Sequence, residues 1–279
     1  MNASEICPVS RNERLLLVTD GSIFSEGAER EAIDFARKCS SKLYVISVLE
    51  SNPEYETVGG EAFDKEEAEA IRHLKSVKSK ALQNGINCET IFYRGVETYR
   101  HVVDEAVERN IDMIIIGRRS RKGLAKLLTG EVAAKVIGHA PCNVLVVPKA
   151  AKIDYKKILV ATDGSKHSEA AASEAINIAK LFGSNVIAVS VSRSEDELEE
   201  AKTNVTSVVQ MAQKEGISVE ALTPTGRSYD AIVEIAGGRG VDLIVIGAYG
   251  QTGLKKLLMG SSTEKVIGLA GCAVLVVRA

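Results

Sequence analysis

The sequence predicts two tandem α/β domains, each a doubly wound, five-stranded parallel sheet with helices on both faces. Three observations lead there. The segment beginning at Ile114 aligns without gaps on the segment beginning at Ile244, with 19 identities in 34 positions, and LLLVTDGS (Leu15 to Ser22) is echoed by ILVATDGS (Ile158 to Ser165); the chain is one unit written twice. Within each copy, short β-branched apolar runs alternate with amphipathic stretches of helical period. The apolar runs are continuous rather than alternating, as expected of strands buried on both faces in a parallel sheet.

In the second copy the strands are KKILVAT, NVIAVSV, ISVEAL, VDLIVIG and AVLVV. Between them, Ala171, Ala175, Ile178, Ala179 and Phe182 recur at helical spacing. Glu195 to Glu215 keeps Leu198, Ala201, Val205, Val208, Val209 and Ala212 on one side. Tyr229 to Ala236 and Ser261 to Leu269 complete the helices, the last opened by a Ser/Thr cap group. The first copy repeats the order with strands Leu15–Thr19, Leu43–Leu49, Ile86–Tyr93, Ile111–Gly117 and Val144–Val147. Its helices are Ser25–Cys39, Glu61–Asn84, Thr98–Arg109 and Glu131–His139. The early motifs are offset by 143 residues and the late ones by 130, so the first copy carries a net 13 extra, most simply in Ser51 to Phe63. Pro148 to Lys156 reads as a short polar linker, dividing the chain into domains 1–150 and 151–279.

Composition excludes several function classes. With 35 basic and 37 acidic side chains the net charge is −2, so nothing favours nucleic acid or an anionic membrane by counterion release. Trp is absent and aromatics are 4%, which argues against stacking platforms for single strands. No apolar run approaches the ~18 residues of a membrane span, and MNASEICPVSRNER has no signal-peptide core; the expectation is a cytoplasmic protein. Five cysteines (7, 39, 88, 142 and 272), odd in number and without a CxxC pair, read as buried thiols.

In an open parallel sheet, ligands sit beyond the carboxyl ends of the strands where strand order reverses. Two features fall there in each copy: Thr-Asp-Gly-Ser after the first strand, with Thr162 and Asp163 in the second copy, and a glycine-bearing loop after the fourth. In the second copy that loop is Gly247-Ala-Tyr-Gly250, nine residues, then Gly260-Ser261-Ser262 at a helix start. Free N–H groups and hydroxyls at a helix N-terminus make an anion site, and glycine allows close backbone approach.

On these residues the chain resembles a tandem member of the universal stress protein family over nearly its whole length. Its ATP-binding members carry G-x2-G-x9-G-(S/T), which Gly247, Gly250, Gly260 and Ser261 match. The resemblance implies a Rossmann-like, adenine nucleotide alpha hydrolase-like sheet of order 3-2-1-4-5. It implies ATP, with Mg carried on its phosphates: Asp163 near adenosine, Val191 at the end of the second strand offering backbone groups to adenine, and Gly247, Gly250, Gly260, Ser261 and Ser262 around ribose and phosphates. It also implies that Val144–Val147 and Val274–Val277 face each other across a pseudo-twofold axis, an intrachain pseudo-dimer. Further homo-oligomerisation is left open.

The first copy departs from the pattern. Asp20, Val48, Gly117 and Gly130 keep their places, but Ser120 replaces the second glycine and Glu131 the hydroxyl residue. Glu131 puts a carboxylate on the helix N-terminus, satisfying its N–H groups and repelling phosphate. Arg118, Arg119, Arg121 and Lys122 form a local basic cluster that either binds an anion or pairs with Glu131. The expectation is a weak or absent first site.

No catalytic residue is assigned. The histidines (73, 101, 139 and 167) have no counterpart in the other copy, and there is no P-loop or GxGxxG. His167 follows Asp163 and Ser165 in sequence, but a triad requires convergence in space. The leading expectation is an ATP-binding stress-response regulatory protein, not an enzyme. The alternatives are a slow ATPase or phosphotransferase using the same crevice, or a nucleotide-independent interaction module.

Overall fold

The computed structural model describes residues 13–50, 60–118, 130–250 and 259–279. The first half runs β1 (Arg14–Val18), α1 (Glu26–Cys39), β2 (Lys42–Glu50), α2 (Gly60–Gln83), β3 (Cys88–Gly95), α3 (Thr98–Glu108), β4 (Met113–Gly117), α4 (Glu131–His139) and β5 (Asn143–Val147). The second runs β6 (Lys157–Ala161), α5 (Lys166–Phe182), β7 (Asn185–Val189), a 3-10 turn (Glu195–Glu197), α6 (Leu198–Lys214), β8 (Val219–Leu222), α7 (Ser228–Arg239), β9 (Leu243–Gly247), α8 (Ser261–Leu269) and β10 (Ala273–Val277).

Each half is parallel with strand order 3-2-1-4-5, and the two join in one ten-stranded sheet, β3-β2-β1-β4-β5-β10-β9-β6-β7-β8. The joint is the antiparallel pairing of β5 with β10, Val144 opposite Val276, Leu145 opposite Leu275 and Val146 opposite Val274. An apolar edge strand is an aggregation hazard unless covered; here each edge covers the other.

The strands are apolar throughout because both faces are packed. Leu15 and Leu17 point to one face, with Ala28 of α1, Leu74 of α2, Ala171 of α5 and Val205 of α6. Leu16 and Val18 point to the other, with Val102 of α3, Ala133 of α4, Ile232 of α7 and Val266 of α8. A period of two in the strand thus distributes one apolar run between two cores. Among the described residues no helix is long and apolar enough to cross a membrane.

The linker is not the polar tether its composition suggests. Ala151, Ile153 and Tyr155 are buried in the core shared by the halves. The Tyr155 ring stacks on Phe182 with centroids 4.2 Å apart, and the Ile153 N–H donates to the Glu31 carboxylate. Cys39 and Cys88 are buried and Cys142 and Cys272 half-buried, all four as free thiols; burial pushes Cys142 up to about 12 and Cys272 to about 11. Cys7 lies outside the described residues, as do 51–59 of the first copy's extra segment; from Gly60 onward that segment enters α2.

Candidate functional site

In the second half the sheet order makes β6 and β9 neighbours, so the loops after them share one crevice. The loop after β6 is tied down locally. The Thr162 N–H donates to Val189 O at 2.9 Å, anchoring it to β7. The Asp163 carboxylate accepts from the Ser165 N–H (3.1 Å) and from the Ser165 hydroxyl (2.6 Å). Ser165 also caps α5, accepting from the Ser168 N–H.

The glycine-bearing loop closes against this one. At Gly250 a Cβ would meet Asp163 Oδ2, so any larger residue there would turn the Asp163 carboxylate away from this position. At Gly247 a Cβ would lie 2.8 Å from the His167 carbonyl carbon and 2.9 Å from its Cβ. Gly247 thus lets the start of α5 pack closely on the sheet. Gly117 has the same duty in the first half, against Phe24 and Ser25.

Gly260 is the N-cap of α8 and makes no side-chain cap bond. Ser261 is thus the first helical residue, not the cap that its hydroxyl suggested. Gly260 has φ −64°, and a Cβ there would make ordinary van der Waals contact with Thr263, Ala248 and Tyr249, the nearest atom being 3.5 Å away. The Gly260 N–H donates to Ala248 O, and the Thr263 hydroxyl to Gly247 O at 2.9 Å. These bonds fasten the helix start to the glycine loop. Among the described residues the N–H groups of Ser261 and Ser262 meet no acceptor, leaving the positive end of α8 presented to the crevice.

Val191 stands differently from its expectation. β7 ends at Val189, so Val191 lies two residues beyond the strand and is half-buried. Ser190 and Ser192 on either side donate to Leu222 O and Pro224 O, and among the described residues Val191's own N–H and C=O have no partner. Leaving the ladder early is what frees these groups. His167 is brought beside the crevice, its ring 5.3 Å from that of Tyr249. Its Nδ1 accepts from the Ala279 N–H, not from a catalytic partner. Burial, with Arg278 nearby, holds its pKa below the usual value. Among the described residues no cluster of three His, Cys, Asp or Glu side chains forms a metal site.

The first half places the same positions in a different setting. Asp20 accepts from the Ser22 N–H at 3.0 Å. Val48, the counterpart of Val191, lies inside the β2·β3 ladder opposite Tyr93. Gly130 has φ +83°, unlike Gly260. Glu131 does not cap its own helix; it pairs with Lys135 at 2.8 Å and is 68% exposed. Nor does it pair with Arg118, whose guanidinium crosses to the second half and donates to Ile267 O, Gly268 O and Ala270 O. Ser120, Arg119, Arg121 and Lys122 lie outside the described residues.

Two features escaped the sequence. Behind the Thr19 loop, Glu29 Oε1 meets the Thr19 hydroxyl at 2.6 Å, His73 Nε2 at 2.7 Å and the Ser25 hydroxyl at 3.2 Å. Behind the Thr162 loop, the counterpart of Glu29 is Ala172, and Asn204 takes the place of His73 against the loop glycine. A cavity of about 190 Å³ remains there, lined by Thr162, Gly164, Glu169, Ala172, Asn204 and Met211 among others.

The fold defines a tandem pair of doubly wound α/β domains. The model of the universal stress protein family matches residues 11–148 and again 154–278; the chain belongs to that family and holds two of its domains. Universal stress protein MJ0531 of Methanocaldococcus jannaschii is 39% identical over 140 residues, 44% of this chain and 82% of that protein. Universal stress protein Slr1230 of Synechocystis is 25% identical over 95% of this chain and 100% of its own length. A solved universal stress protein from Archaeoglobus fulgidus shares the fold with a TM-score of 0.79 at 22% identity, covering 96% of this chain and 99% of that one.

Proposed function

We propose that the second half binds an adenine nucleotide, ATP in the first instance, and that the chain is a nucleotide-responsive regulatory protein rather than an enzyme. The observation that carries this reading is the start of α8. Among the described residues its N–H groups at Ser261 and Ser262 have no acceptor, its N-cap is a glycine without a side-chain cap, and Gly250 packs on Asp163 in the same crevice. Phosphates would lie on Gly260, Ser261 and Ser262, with Mg on the phosphates. Adenosine would lie toward Thr162 and Asp163, and the adenine edge would meet the unpaired backbone groups of Val191. Carriage of a signal then requires only that nucleotide favour one state of a surface or assembly. The halves, 1–150 and 151–279, act as an intrachain pseudo-dimer through the β5·β10 pairing, in the cytoplasm.

The test is a calorimetric titration with ATP and with adenosine on the whole chain and on Ser261→Glu, which imports the first half's residue. The expected result is uptake of ATP by the wild type and its loss in the variant, with adenosine binding retained. ATP binding of equal strength in both proteins, or no uptake by the wild type, contradicts the reading.

A further inference from the structure

We infer that Arg118, a first-half residue, is a positioning residue for the phosphate-binding end of α8 in the second half. The inference rests on the nucleotide reading above and extends it to the regulation of that crevice by the other half.

Arg118 directly follows Gly117 at the end of β4, and its N–H donates to Val147 O at 3.1 Å. Ala248, its counterpart, makes the same anchor with Val277 O at 2.9 Å. The two backbones agree; only the first half places a guanidinium there. That guanidinium reaches across the joint between the halves. Its Nη1 lies 2.7 Å from Ile267 O, 3.2 Å from Gly268 O and 2.6 Å from Ala270 O, which are the last carbonyls of α8 and its C-cap. Its Nε is buried with no partner, and among the described residues no carboxylate lies within ion-pair distance. A buried cation without an anion is costly; here the negative end of a helix is what answers it.

α8 has nine residues, about 13 Å at 1.5 Å per residue. One end faces the crevice with N–H groups that, among the described residues, have no acceptor. The other is gripped by a charge rooted in the first half's own glycine loop. Among the described residues the hydrogen bonds that fix the start of α8 outside the helix are those of Thr263 and Gly260 to the glycine loop, so the axial position of its N–H groups depends on both ends. The reverse crossing exists as well: Arg278 Nη1 donates at 2.5 Å to Ile137 O of α4, the counterpart of Ile267. The first half has Pro148 where the second has Arg278, and the second has Ala248 where the first has Arg118. Both arginines thus reach the same carbonyl of the opposite half from different places in the repeat.

The test measures the ratio of ATP to adenosine affinity in Arg118→Met, Arg118→Lys and a destabilised control, Val136→Ala, on the buried face of α4. Loss of the grip is expected to lower the ratio about tenfold in Arg118→Met and roughly threefold in Arg118→Lys, with adenosine affinity unchanged. General destabilisation, as in the control, leaves the ratio where it was. An unchanged ratio in Arg118→Met overturns the inference; if that variant does not fold, an unchanged ratio in Arg118→Lys does so. Should the wild type take up no ATP, the nucleotide reading fails by itself. Amide exchange then decides: faster exchange at Ser261 to Thr263 in the Arg118 variants than in Val136→Ala upholds the positioning role, and equal exchange rejects it.

Discussion

The two halves share a fold, a strand order and a Thr-Asp-Gly-Ser loop, yet they differ wherever that loop meets its surroundings. Behind the loop, the first half inserts Glu29 and His73, bonded to each other and to Thr19; the second has Ala172, Asn204 and a cavity. Beside it, Val48 is held in a strand ladder whereas Val191 is released from one. Across from it, one helix opens with Glu131 on a glycine of positive φ, the other with Ser261 on an unstrained glycine. The differences fall at the crevice, while the cores carry the same Leu, Ile and Val faces. A duplicated scaffold keeps its packing because both copies must fold. Its site residues are free to diverge, and here they turn one crevice inward and leave the other open.

The largest expected effect separates packing glycine from site glycine. Gly247→Ala forces a Cβ against the backbone of His167 and should destabilise the fold by about 1–3 kcal/mol. Gly260→Ala, whose Cβ meets no atom closer than 3.5 Å and whose φ is ordinary, should stay within about 0.5 kcal/mol. Thermal unfolding of the two variants checks this, and equal costs would erase the distinction. Next, Ser261→Glu should weaken ATP binding by roughly 30-fold, about 2 kcal/mol, by bringing a negative charge to the helix end proposed to hold phosphate and replacing a small hydroxyl there. The reciprocal Glu131→Ser sharpens the comparison. It should create little ATP binding in the first half, because Val48 stays in its ladder and Gly130 keeps its left-handed turn.

Smaller effects concern pH. The hydrogen bond to Glu29 raises the His73 pKa above its ordinary value, against the opposing effect of burial. Burial alone would raise Glu29, but hydrogen bonds from His73 and Thr19 hold it below the usual carboxylate range. The histidine's contribution is therefore complete below about 6.5 and lost as pH rises through its raised value. The glutamate's contribution is complete above about 4.5 and lost as pH falls through its lowered value. Stability should peak between these limits, and His73→Asn should flatten the profile while costing about 1 kcal/mol near pH 6. A variant profile parallel to wild type would remove the pair from the account.

At the joint between halves the contrast is of the same kind. Glu31 accepts from Arg30 and from the linker at Ile153. Its counterpart Glu174 lines a small space with Phe35, Tyr155 and Leu275, and burial pushes its pKa up to about 7. Its folded value is raised, so its contribution is present below about 4.5 and fades as pH rises through about 7. Glu174→Gln should gain stability relative to wild type above pH 7 and show little difference at pH 5. The same difference at both values would contradict this.

Much of this was legible in the sequence. Apolar runs and helical periodicity gave the elements within a few residues; α4 and α8 fall on their expected bounds, while ISVEAL yields a strand only from Val219. The glycine spacing marks close approaches, Gly247 on the start of α5 and Gly250 on Asp163, and only the folded chain shows which partner each one meets. What stayed hidden depends on distant partners. His73 lies 44 residues from Glu29 and Arg118 about 150 from the carbonyls it caps, and no local period encodes such pairs. The Glu131 carboxylate looked like a cap because sequence shows proximity along the helix, not the rotamer that takes it to Lys135. The linker looked polar because Ala151, Ile153 and Tyr155 are spaced singly among charges.

Photoaffinity labelling of the intact chain with an azido-adenine analogue of ATP, followed by peptide mapping, tests the asymmetry most directly. Label is expected on peptides bearing Asp163 or Val191, competed away by ATP, at one nucleotide per chain. Label on the first-half counterparts around Asp20 and Val48 to an equal extent, or label that ATP does not displace, would contradict it.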